Sequence, residues 1–490
     1  MTLERLIKNV DIVSIGADFG MLIHGISYDT RVLRKGDIFV AIKGYEVDGH
    51  KYINEAIKKG AACIICEVEP DIETQYVVVE DSRKALACIS AEWFGYPAKK
   101  IKIIGVTGTN GKTSVTCLVK YVLEKCSGSK VGLIGTNGNF IGDRELYTEH
   151  TTPESFETQK LLDKMILEGC KYVVMEVSSH ALYLKRVYGI EYDVGVFTNL
   201  TPEHLDFHGT MDEYARAKAI LFANCKNAVV NLDDTYAKIM IDSSCGKVMT
   251  YGVENNSADL TGKDIRLSPG KTEFCVITEG SINRVYLQIP GMFSVYNALA
   301  AIASVNLLGY GIENIAPLFH SFEGVKGRAE VVPTGHDYTV LIDYAHTPDA
   351  LNNIISTVRG FAKERVIVLF GCGGDRDKAK RPLMGQITAE LADYMVITSD
   401  NPRTEEPGKI IDEILTGIGQ SNTPYIVLEN RREAICWALD NIKTGDVLLL
   451  AGKGHETYQI CGNEKIHFDD REVVMEHIRQ KSAESRKSEE

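Results

Sequence analysis

Nowhere in its 490 residues does the chain hold an apolar run of the roughly 18 residues that a membrane-spanning helix needs. Its first residues, Met1-Thr2-Leu3-Glu4-Arg5, lack the charged-then-apolar layout of a secretory signal. A cytoplasmic protein without membrane insertion is therefore expected. Basic charge is scarce too: 54 Lys and Arg stand against 67 Asp and Glu, a net charge of −13. Nucleic-acid binders carry a basic excess or basic blocks, and the lack of both argues against a nucleic-acid partner. An acidic enzyme with an anionic substrate must then rely on single Arg and Lys residues set in motifs. The 12 cysteines are scattered, which does not read as a disulfide framework. One pair, Cys63 and Cys66, has CxxC spacing, with no second such pair and no paired His nearby. Its surroundings, Ala61-Ala62-Cys63-Ile64-Ile65-Cys66, read instead as a buried strand with small apolar thiols.

The composition is that of an ordinary globular protein, 44% hydrophobic and 25% charged. At about 100–200 residues per domain, the length implies about three domains, and three regions differ in pattern. Residues 1–98 form a small α/β unit, with strands at Asp37 to Ile42 and Ala61 to Glu67 and a helix at Gly49 to Lys59. Residues 99–330 alternate strands (Ile101 to Val106, Tyr172 to Val177, Asp193 to Thr198) with helices. After Thr113, residues Val115, Leu118, Val119, Val122 and Leu123 fall on one helical face. A short-stranded stretch from Ser257 to Pro290 precedes a helix from Ser294 to Leu308. Residues 331–490 resume the alternation, with strands Thr339 to Ile342, Arg365 to Phe370, Tyr394 to Thr398 and Asp446 to Leu450. The expected fold class is α/β in three domains: a small N-terminal α/β domain, a central P-loop ATPase-like parallel sheet, and a C-terminal Rossmann-like domain. Each strand of the last region runs into a polar or Gly-rich motif, and ligands of such sheets bind beyond the carboxyl ends of the strands.

The strongest motif is Gly105-Val106-Thr107-Gly108-Thr109-Asn110-Gly111-Lys112-Thr113-Ser114. It follows a strand and opens an amphipathic helix, so its backbone N–H groups and the helix N-terminus are placed to cradle phosphates. Lys112 would reach the terminal phosphates and Thr113 would hold Mg²⁺. The match departs from the usual pattern at Val106, where Gly is expected. Glu176 ends the next strand, in Met175-Glu176-Val177-Ser178-Ser179-His180, where a carboxylate commonly binds Mg²⁺; a capping or paired Glu is the alternative. His204 and His208 have the i,i+4 spacing of zinc ligands, but a third ligand of the HExxH type is missing, and Pro202 and Gly209 suit a loop. His204 reads as a Mg²⁺ or phosphate contact, with structural and zinc roles as alternatives. Thr210 to Glu213 reads as a capping box that starts a helix. On that helix Lys218 falls amid Met211, Tyr214, Leu221 and Phe222. A lysine on an apolar face either snorkels or has a depressed pKa. A neutral amine there could take up CO₂ as a carbamate, an anionic ligand for a second Mg²⁺, although periodicity by itself favours snorkelling.

Taken together these motifs resemble the Mur ligases. Gly108 to Thr113, Glu176-Val177-Ser178-Ser179-His180, Gly327-Arg328-Ala329-Glu330, Asp343-Tyr344-Ala345-His346-Thr347-Pro348 and Ala451-Gly452-Lys453-Gly454-His455-Glu456 occur in that family's order across nearly the whole chain. The resemblance implies three domains that bind, in order, the UDP end of a substrate, ATP, and an incoming amino acid. It implies that ATP phosphorylates a carboxylate of UDP-N-acetylmuramoyl-L-alanyl-D-glutamate, that an amine attacks the acyl phosphate, and that phosphate leaves through a tetrahedral intermediate. Lys112, Mg²⁺ and His204 would stabilise the transferring phosphoryl group. Lys218 matches a lysine that is carbamylated in the family and holds the second Mg²⁺. Thr151, Thr152, Ser178 and Arg186 match residues that hold the muramoyl-dipeptide, and Thr30 matches a Ser/Thr position near the uridine. Some relatives carry Gln two residues before the matching Arg, where this chain has Leu184. Asn297, Arg328, Asp343 and His346 match positions that contact the nucleotide from across a domain boundary.

The tetrad Asp400-Asn401-Pro402-Arg403 is similar to that of family members that use meso-diaminopimelate, whereas lysine-adding members lack the Arg. Diaminopimelate differs from lysine by a second carboxylate, which Arg403 can bind through two parallel hydrogen bonds. Arg376 could hold the other end, and Gly452 and Glu456 match positions for the distal amino-acid group. The expected protein is a monomeric, ATP- and Mg²⁺-dependent amide-bond-forming ligase acting in the cytoplasm. Addition of L-lysine, a folate polyglutamate synthase and a P-loop ATPase without ligase activity are the competing readings.

Overall fold

The computed structural model describes residues 1–44, 47–146, 151–419 and 421–489, with side chains to residue 483 in the last segment. Packing divides the chain into two compact units, the first Met1–Thr250 with Leu307–Gly309, the second Tyr251–Asn306 with Tyr310–Glu490.

The first unit opens with strands β1 (Ile12–Gly16), β2 (Gly25–Ser27), β3 (Asp37–Val40), β4 (Cys63–Cys66) and β5 (Tyr76–Val79), in sheet order β1-β5-β4-β3-β2. Only β1 runs antiparallel to its neighbour. All four residues of β4 are buried, and burial pushes the Cys63 and Cys66 thiols up to about 12 and about 11. Cys63 and Cys66 pack into different apolar clusters, as small core residues on opposite faces of a buried strand do. The helix read at Gly49 to Lys59 is instead a 3₁₀ turn, Gly49–Tyr52, followed by an α-helix, Ile53–Lys58. His50 accounts for the difference. Its backbone N–H and ring Nδ1 both meet the Asp48 carboxylate, at 3.0 and 2.7 Å, and its Nε2 accepts from Glu67 N at 2.9 Å.

The remainder of this unit contains β6 (Lys102–Thr107), β7 (Val131–Gly135), β8 (Gly138–Ile141), β9 (Arg144–Leu146), β10 (Tyr172–Glu176), β11 (Val194–Phe197) and β12 (Asn227–Asn231). Their order is β12-β11-β6-β10-β7-β8-β9, parallel from β12 to β7 and continued by an antiparallel hairpin. These parallel strands are apolar and almost wholly buried, as a sheet covered on both faces requires. The helix Lys112–Ser127 turns Val115, Leu118, Val119, Val122 and Leu123 inward, as their spacing predicts.

Within the second unit, Tyr251 and Gly252, the last residues of β13 (Lys247–Gly252), pair with β14 (Leu260–Ser268). Strands β15 (Lys271–Ile277) and β16 (Ile282–Leu287) complete an antiparallel meander. The C-terminal sheet holds β17 (Glu330–Val332), β18 (Thr339–Asp343), β19 (Val366–Phe370), β20 (Tyr394–Ile397), β21 (Tyr425–Val427) and β22 (Val447–Ala451), in the order β17-β18-β22-β19-β20-β21. All but β17 are parallel, so the loops after β18, β22, β19 and β20 leave the same end. A hairpin, β23 (Tyr458–Cys461) and β24 (Glu464–His467), precedes the last helix, Asp470–Glu489.

That helix is fastened by a buried ion pair. Arg431 donates to both Asp470 oxygens, at 2.8 and 2.6 Å, and also to the carbonyl of Ala451 at 3.1 Å, with both side chains about 1% exposed or less. Removing one member strands the other charge in the core. Arg431→Met should therefore lower unfolding stability by roughly 3–5 kcal/mol in urea titration. Stability equal to the unaltered chain would show that the pair holds nothing.

Candidate active site

Strand β6 delivers the Gly-rich loop into the helix Lys112–Ser127. Val106, the departure from the usual pattern, lies inside β6, paired with Glu176 and Val196. The turn falls two residues later, at Gly108, whose φ of 151° and lack of space both exclude a side chain: an added Cβ would sit 1.8 Å from Thr198 Oγ1. Gly111, at φ 85°, makes the second turn and caps the helix. The loop is strapped to the segment after β11. Asn110 N donates to Asn199 Oδ1 at 2.9 Å, Thr198 Oγ1 donates to Asn110 O at 2.6 Å, and Thr109 N donates to Asn199 O at 2.8 Å. Asn199 follows a strand, but nothing in its spacing announces this bracing role. Thr113 is buried and Ser114 half-buried in the first helical turn.

Lys112 Nζ donates to the carbonyls of Gly108 and Thr109, at 2.9 and 2.7 Å. Lys218, 1% exposed on the helix Met211–Ala219, donates to the same Gly108 carbonyl at 2.8 Å and lies 4.4 Å from the centre of the Tyr214 ring. Two ammonium groups on one oxygen repel. Burial first, then the Lys112 charge, hold the Lys218 amine well below its ordinary 10.5. The side chain is thus buried rather than snorkelling, against what periodicity favoured. The capping box is half formed: Thr210 Oγ1 accepts from Glu213 N at 3.2 Å, but Thr210 N donates to the His208 carbonyl rather than to Glu213.

Glu176 ends β10 fully buried, and its two oxygens accept from Thr136 N and Thr136 Oγ1, at 2.8 and 3.1 Å. No sequence signal marks Thr136 for this role, because it lies in a turn 40 residues earlier. His204, at φ 56°, precedes the four-residue helix Leu205–His208. His204 and His208 do not converge as a ligand pair. The His204 ring centre lies 4.7 Å from that of His180, while buried His208 stacks on Tyr214 and shares a 2.9 Å hydrogen bond with Ser179 Oγ. Among the described residues no group of three or more His, Cys, Asp or Glu is arranged to hold a metal. Burial pushes the His204 ring below its usual range, and Lys112 and Lys218 reinforce this.

Thr152 Oγ1 donates to the Glu176 carbonyl at 2.8 Å and accepts from Ser178 N at 3.2 Å, while Thr151 Oγ1 lies 3.0 Å from Thr136 Oγ1. Ser178 caps the helix Ser179–Tyr183 through Ala181 N. Arg186 pairs with Glu154 at 2.8 Å and donates to the Thr152 carbonyl at 3.2 Å, and Arg83 meets the other Glu154 oxygen at 3.4 Å. Thr30 is buried, its carbonyl accepting from Lys59 Nζ at 2.8 Å. Leu184 ends the helix before Arg186 and carries no polar group.

In the second unit, Asn297 is buried on the helix Met292–Leu307. Arg328 lies 5.1 Å from the Tyr344 ring centre. Asp343, at the end of β18, accepts from Ala329 N and Ala345 N, at 2.7 and 2.8 Å. His346 is exposed, its Nδ1 2.8 Å from the Tyr344 carbonyl. Gly327 and Gly454 let two backbones touch: a Cβ on Gly327 would meet His455 N at 2.1 Å.

The loops after β19, β20 and β22 interlock. Asn401 Nδ2 donates to Glu456 Oε2 at 2.8 Å, and buried Lys453 reaches both residues, at 3.3 and 3.2 Å. Asp400 is buried beside Gly452, where an added Cβ would lie 2.8 Å from Asp400 Oδ2. The Pro402 carbonyl likewise leaves room only for glycine at 374. Arg403, at φ 52°, donates through NH1 to the Gly374 carbonyl at 2.7 Å, and Arg376 is exposed on the same loop.

A parallel sheet that feeds a glycine-rich loop into a helix N-terminus is the architecture of phosphate-binding-loop proteins. Comparison with known proteins narrows this class. The chain belongs to the Mur ligase family: the Mur ligase family catalytic domain matches residues 22–94, the Mur ligase middle domain residues 106–305, and the Mur ligase glutamate ligase domain residues 327–454. It is 47% identical over 465 residues to a UDP-N-acetylmuramoyl-L-alanyl-D-glutamate–2,6-diaminopimelate ligase of Clostridium botulinum, covering 94% of this chain and 95% of that one. A ligase of the same description from Clostridium tetani is 46% identical over 485 residues, 98% of this chain and 99% of that one. A solved structure of a 2,6-diaminopimelate ligase of this description superposes with a TM-score of 0.73 at 31% identity, covering 98% of this chain and 99% of its own.

His180 and His208 are held neutral, chiefly by burial, which pushes both from 6.5 down to about 4. Their depressed folded values mean the stabilisation is present above pH 6.5 and is lost as pH falls toward about 4, where the unfolded chain takes up protons first. Urea unfolding across this window should show stability falling with acid, and His208→Gln should flatten that slope. An identical slope in the variant would clear His208 of this role.

Proposed function

We propose that this chain joins meso-diaminopimelate to UDP-N-acetylmuramoyl-L-alanyl-D-glutamate at the expense of ATP, releasing ADP and phosphate, in cytoplasmic synthesis of peptidoglycan precursor. The near full-length identity to ligases of that description carries the reading. Residues 1–98 take the UDP end with Thr30, residues 99–330 take ATP, and residues 331–490 take the amino acid.

The D-glutamate carboxylate is a poor electrophile until it bears a phosphoryl group. Gly108, Thr109, Asn110, Gly111 and Ser114 form the loop and helix start that take the nucleotide phosphates, Asn199 bracing the loop through the Thr109 and Asn110 N–H groups, and Lys112 leaves its loop carbonyls for the terminal phosphate. Asn297, Arg328, Asp343 and His346 serve the nucleotide as well. Thr151, Thr152, Ser178 and Arg186 orient the acceptor carboxylate, Arg186 exchanging Glu154 for substrate. The attacking amine comes from a diaminopimelate held by Arg376, Asp400, Asn401, Pro402, Arg403, Gly452 and Glu456.

The donor set suits Mg²⁺. Thr113 is buried in the first helical turn, His204 is biased toward its neutral form, and Glu176 keeps lone pairs beyond the two that Thr136 uses. Lys218 suits carbamylation, since burial first and the Lys112 charge next both favour the uncharged form of its amine. Thr113, Glu176, His204 and carbamylated Lys218 would hold the metal, which supplies charge neutralisation for the transferring phosphoryl group. This set needs no second chain, and a monomer is expected.

The direct test supplies ATP, Mg²⁺ and the UDP-dipeptide with meso-diaminopimelate or L-lysine in parallel, following phosphate release and product mass. Product with diaminopimelate alone is expected. Product with lysine alone would overturn the role of Arg403, and no amino-acid-dependent product would overturn the ligase itself. Arg403→Ala should weaken diaminopimelate binding by roughly 2–5 kcal/mol, as loss of one partner of a ligand-buried charge pair does; an unchanged KM would contradict it. Lys218→Ala should abolish turnover, with acetate or formate restoring part of it by standing in for the carbamate. Full activity in that variant would rule the carbamate out.

A further inference from the structure

The loop carrying Arg376 and the loop carrying Arg403 are both held in strained conformations. Asp375 has φ 53° and Arg403 φ 52°, left-handed values that are costly for non-glycine residues and persist only where surroundings enforce them. Direct ties between the loops are short and local: Gly374 N to Asn401 O at 2.9 Å, Arg403 NH1 to Gly374 O at 2.7 Å, and Thr404 Oγ1 to Asp375 Oδ1 at 2.7 Å. Beneath them lies a cation that the reaction does not use. The Arg381 side chain is 0% exposed, on the helix Lys380–Leu391. Its guanidinium forks onto both oxygens of Glu405, at 3.0 and 2.8 Å, meets Glu413 at 2.7 Å, and donates to the Gly373 carbonyl at 3.2 Å. Glu405, two residues beyond Arg403, passes the tie back to the first loop by accepting from Asp375 N at 2.6 Å. One planar group thus grips Gly373 in the loop after β19 and Glu405 in the loop after β20.

We propose that Arg381 is a positioning residue that fixes the spacing between Arg376 and Arg403, and with it the fit of a substrate bearing two separated carboxylates. The inference rests on reading these loops as the diaminopimelate site. A lysine keeps the charge but cannot fork to Glu405 and Gly373 together. The arrangement also explains why Glu405 ionises easily, its carboxyl being held down at about 2 by Arg381 first and by the Asp375 N–H next.

The test compares the unaltered enzyme with Arg381→Lys and Glu405→Gln, each checked for folding by circular dichroism. KM and kcat are measured separately for diaminopimelate, ATP and the UDP-dipeptide, and hydrogen exchange is followed over residues 371–376 and 400–405. Expected in either folded variant is a rise in KM for diaminopimelate on the order of tenfold, with the other two KM values within about twofold and faster exchange in both loops, the signature of misplaced binding groups. A folded variant with unchanged KM for diaminopimelate and unchanged exchange overturns the proposal, as does an equal rise in all three KM values, which marks a general structural role. Failure of the unaltered enzyme to use diaminopimelate would overturn the underlying reading instead, and loop exchange would still report whether Arg381 ties the two loops.

Discussion

Parallel strands have one carboxyl end, and every loop leaving it must share the same edge of the sheet. That constraint organises both units. In the first, β6, β10 and β11 bring the Gly-rich loop, Glu176 and the Thr198–Asn199 pair to one edge, where the Thr198 and Asn199 side chains bond the loop backbone at Asn110. In the second, β18, β22, β19 and β20 do the same for Asp343, Gly452, Gly371 and Asp400. Residues far apart in sequence become neighbours without any long irregular loop, because the sheet register has already aligned the strand ends.

Electrostatics then acts on that crowding. In the first unit a single carbonyl, that of Gly108, serves two lysines, and the more deeply buried one cannot keep its proton at little cost. Burial first, and nearby positive charge next, push the neighbouring imidazoles of His180, His204 and His208 down as well. In the second unit the buried cations Arg381, Arg431 and Lys453 each face a carboxylate, and none is left to the solvent. The positive charge an anionic substrate needs is therefore supplied one residue at a time, in keeping with an acidic chain.

Much of this was legible from the sequence. Buried parallel strands are continuous apolar runs, so Val366–Phe370 and Val447–Ala451 could be placed to within a residue, and the helix after Thr113 by its inward face. The Gly-rich loop was legible because only glycine tolerates Gly108's backbone and its contact with Thr198. What could not be read were partnerships made in three dimensions. Thr136 sits in an unremarkable turn yet occupies both oxygens of Glu176. Arg381 lies in a Lys- and Arg-rich stretch that looks solvated, and only the loops folded over it make it buried. Local competition misled elsewhere: His50 found Asp48 and Glu67 and shortened a helix, and Thr210 found the His208 carbonyl in place of Glu213.

The crossing of Gly327 and Gly454 bears on how such a fold can diversify. Each glycine faces backbone at a distance no side chain fits, Gly327 against His455 and Gly454 against Tyr344, and the Tyr344 N–H donates to the Gly327 carbonyl at 2.9 Å. Three chain segments are thereby riveted, so insertions and bulky replacements there are closed to natural variation. The loop bearing Arg376 is exposed and meets no such rivet at its tip. A lineage that exchanged one amino-acid substrate for another would be free to do so at the exposed tip, 376–378, leaving the riveted segments and the Arg381–Glu405 tie as the fixed frame against which new specificities are measured.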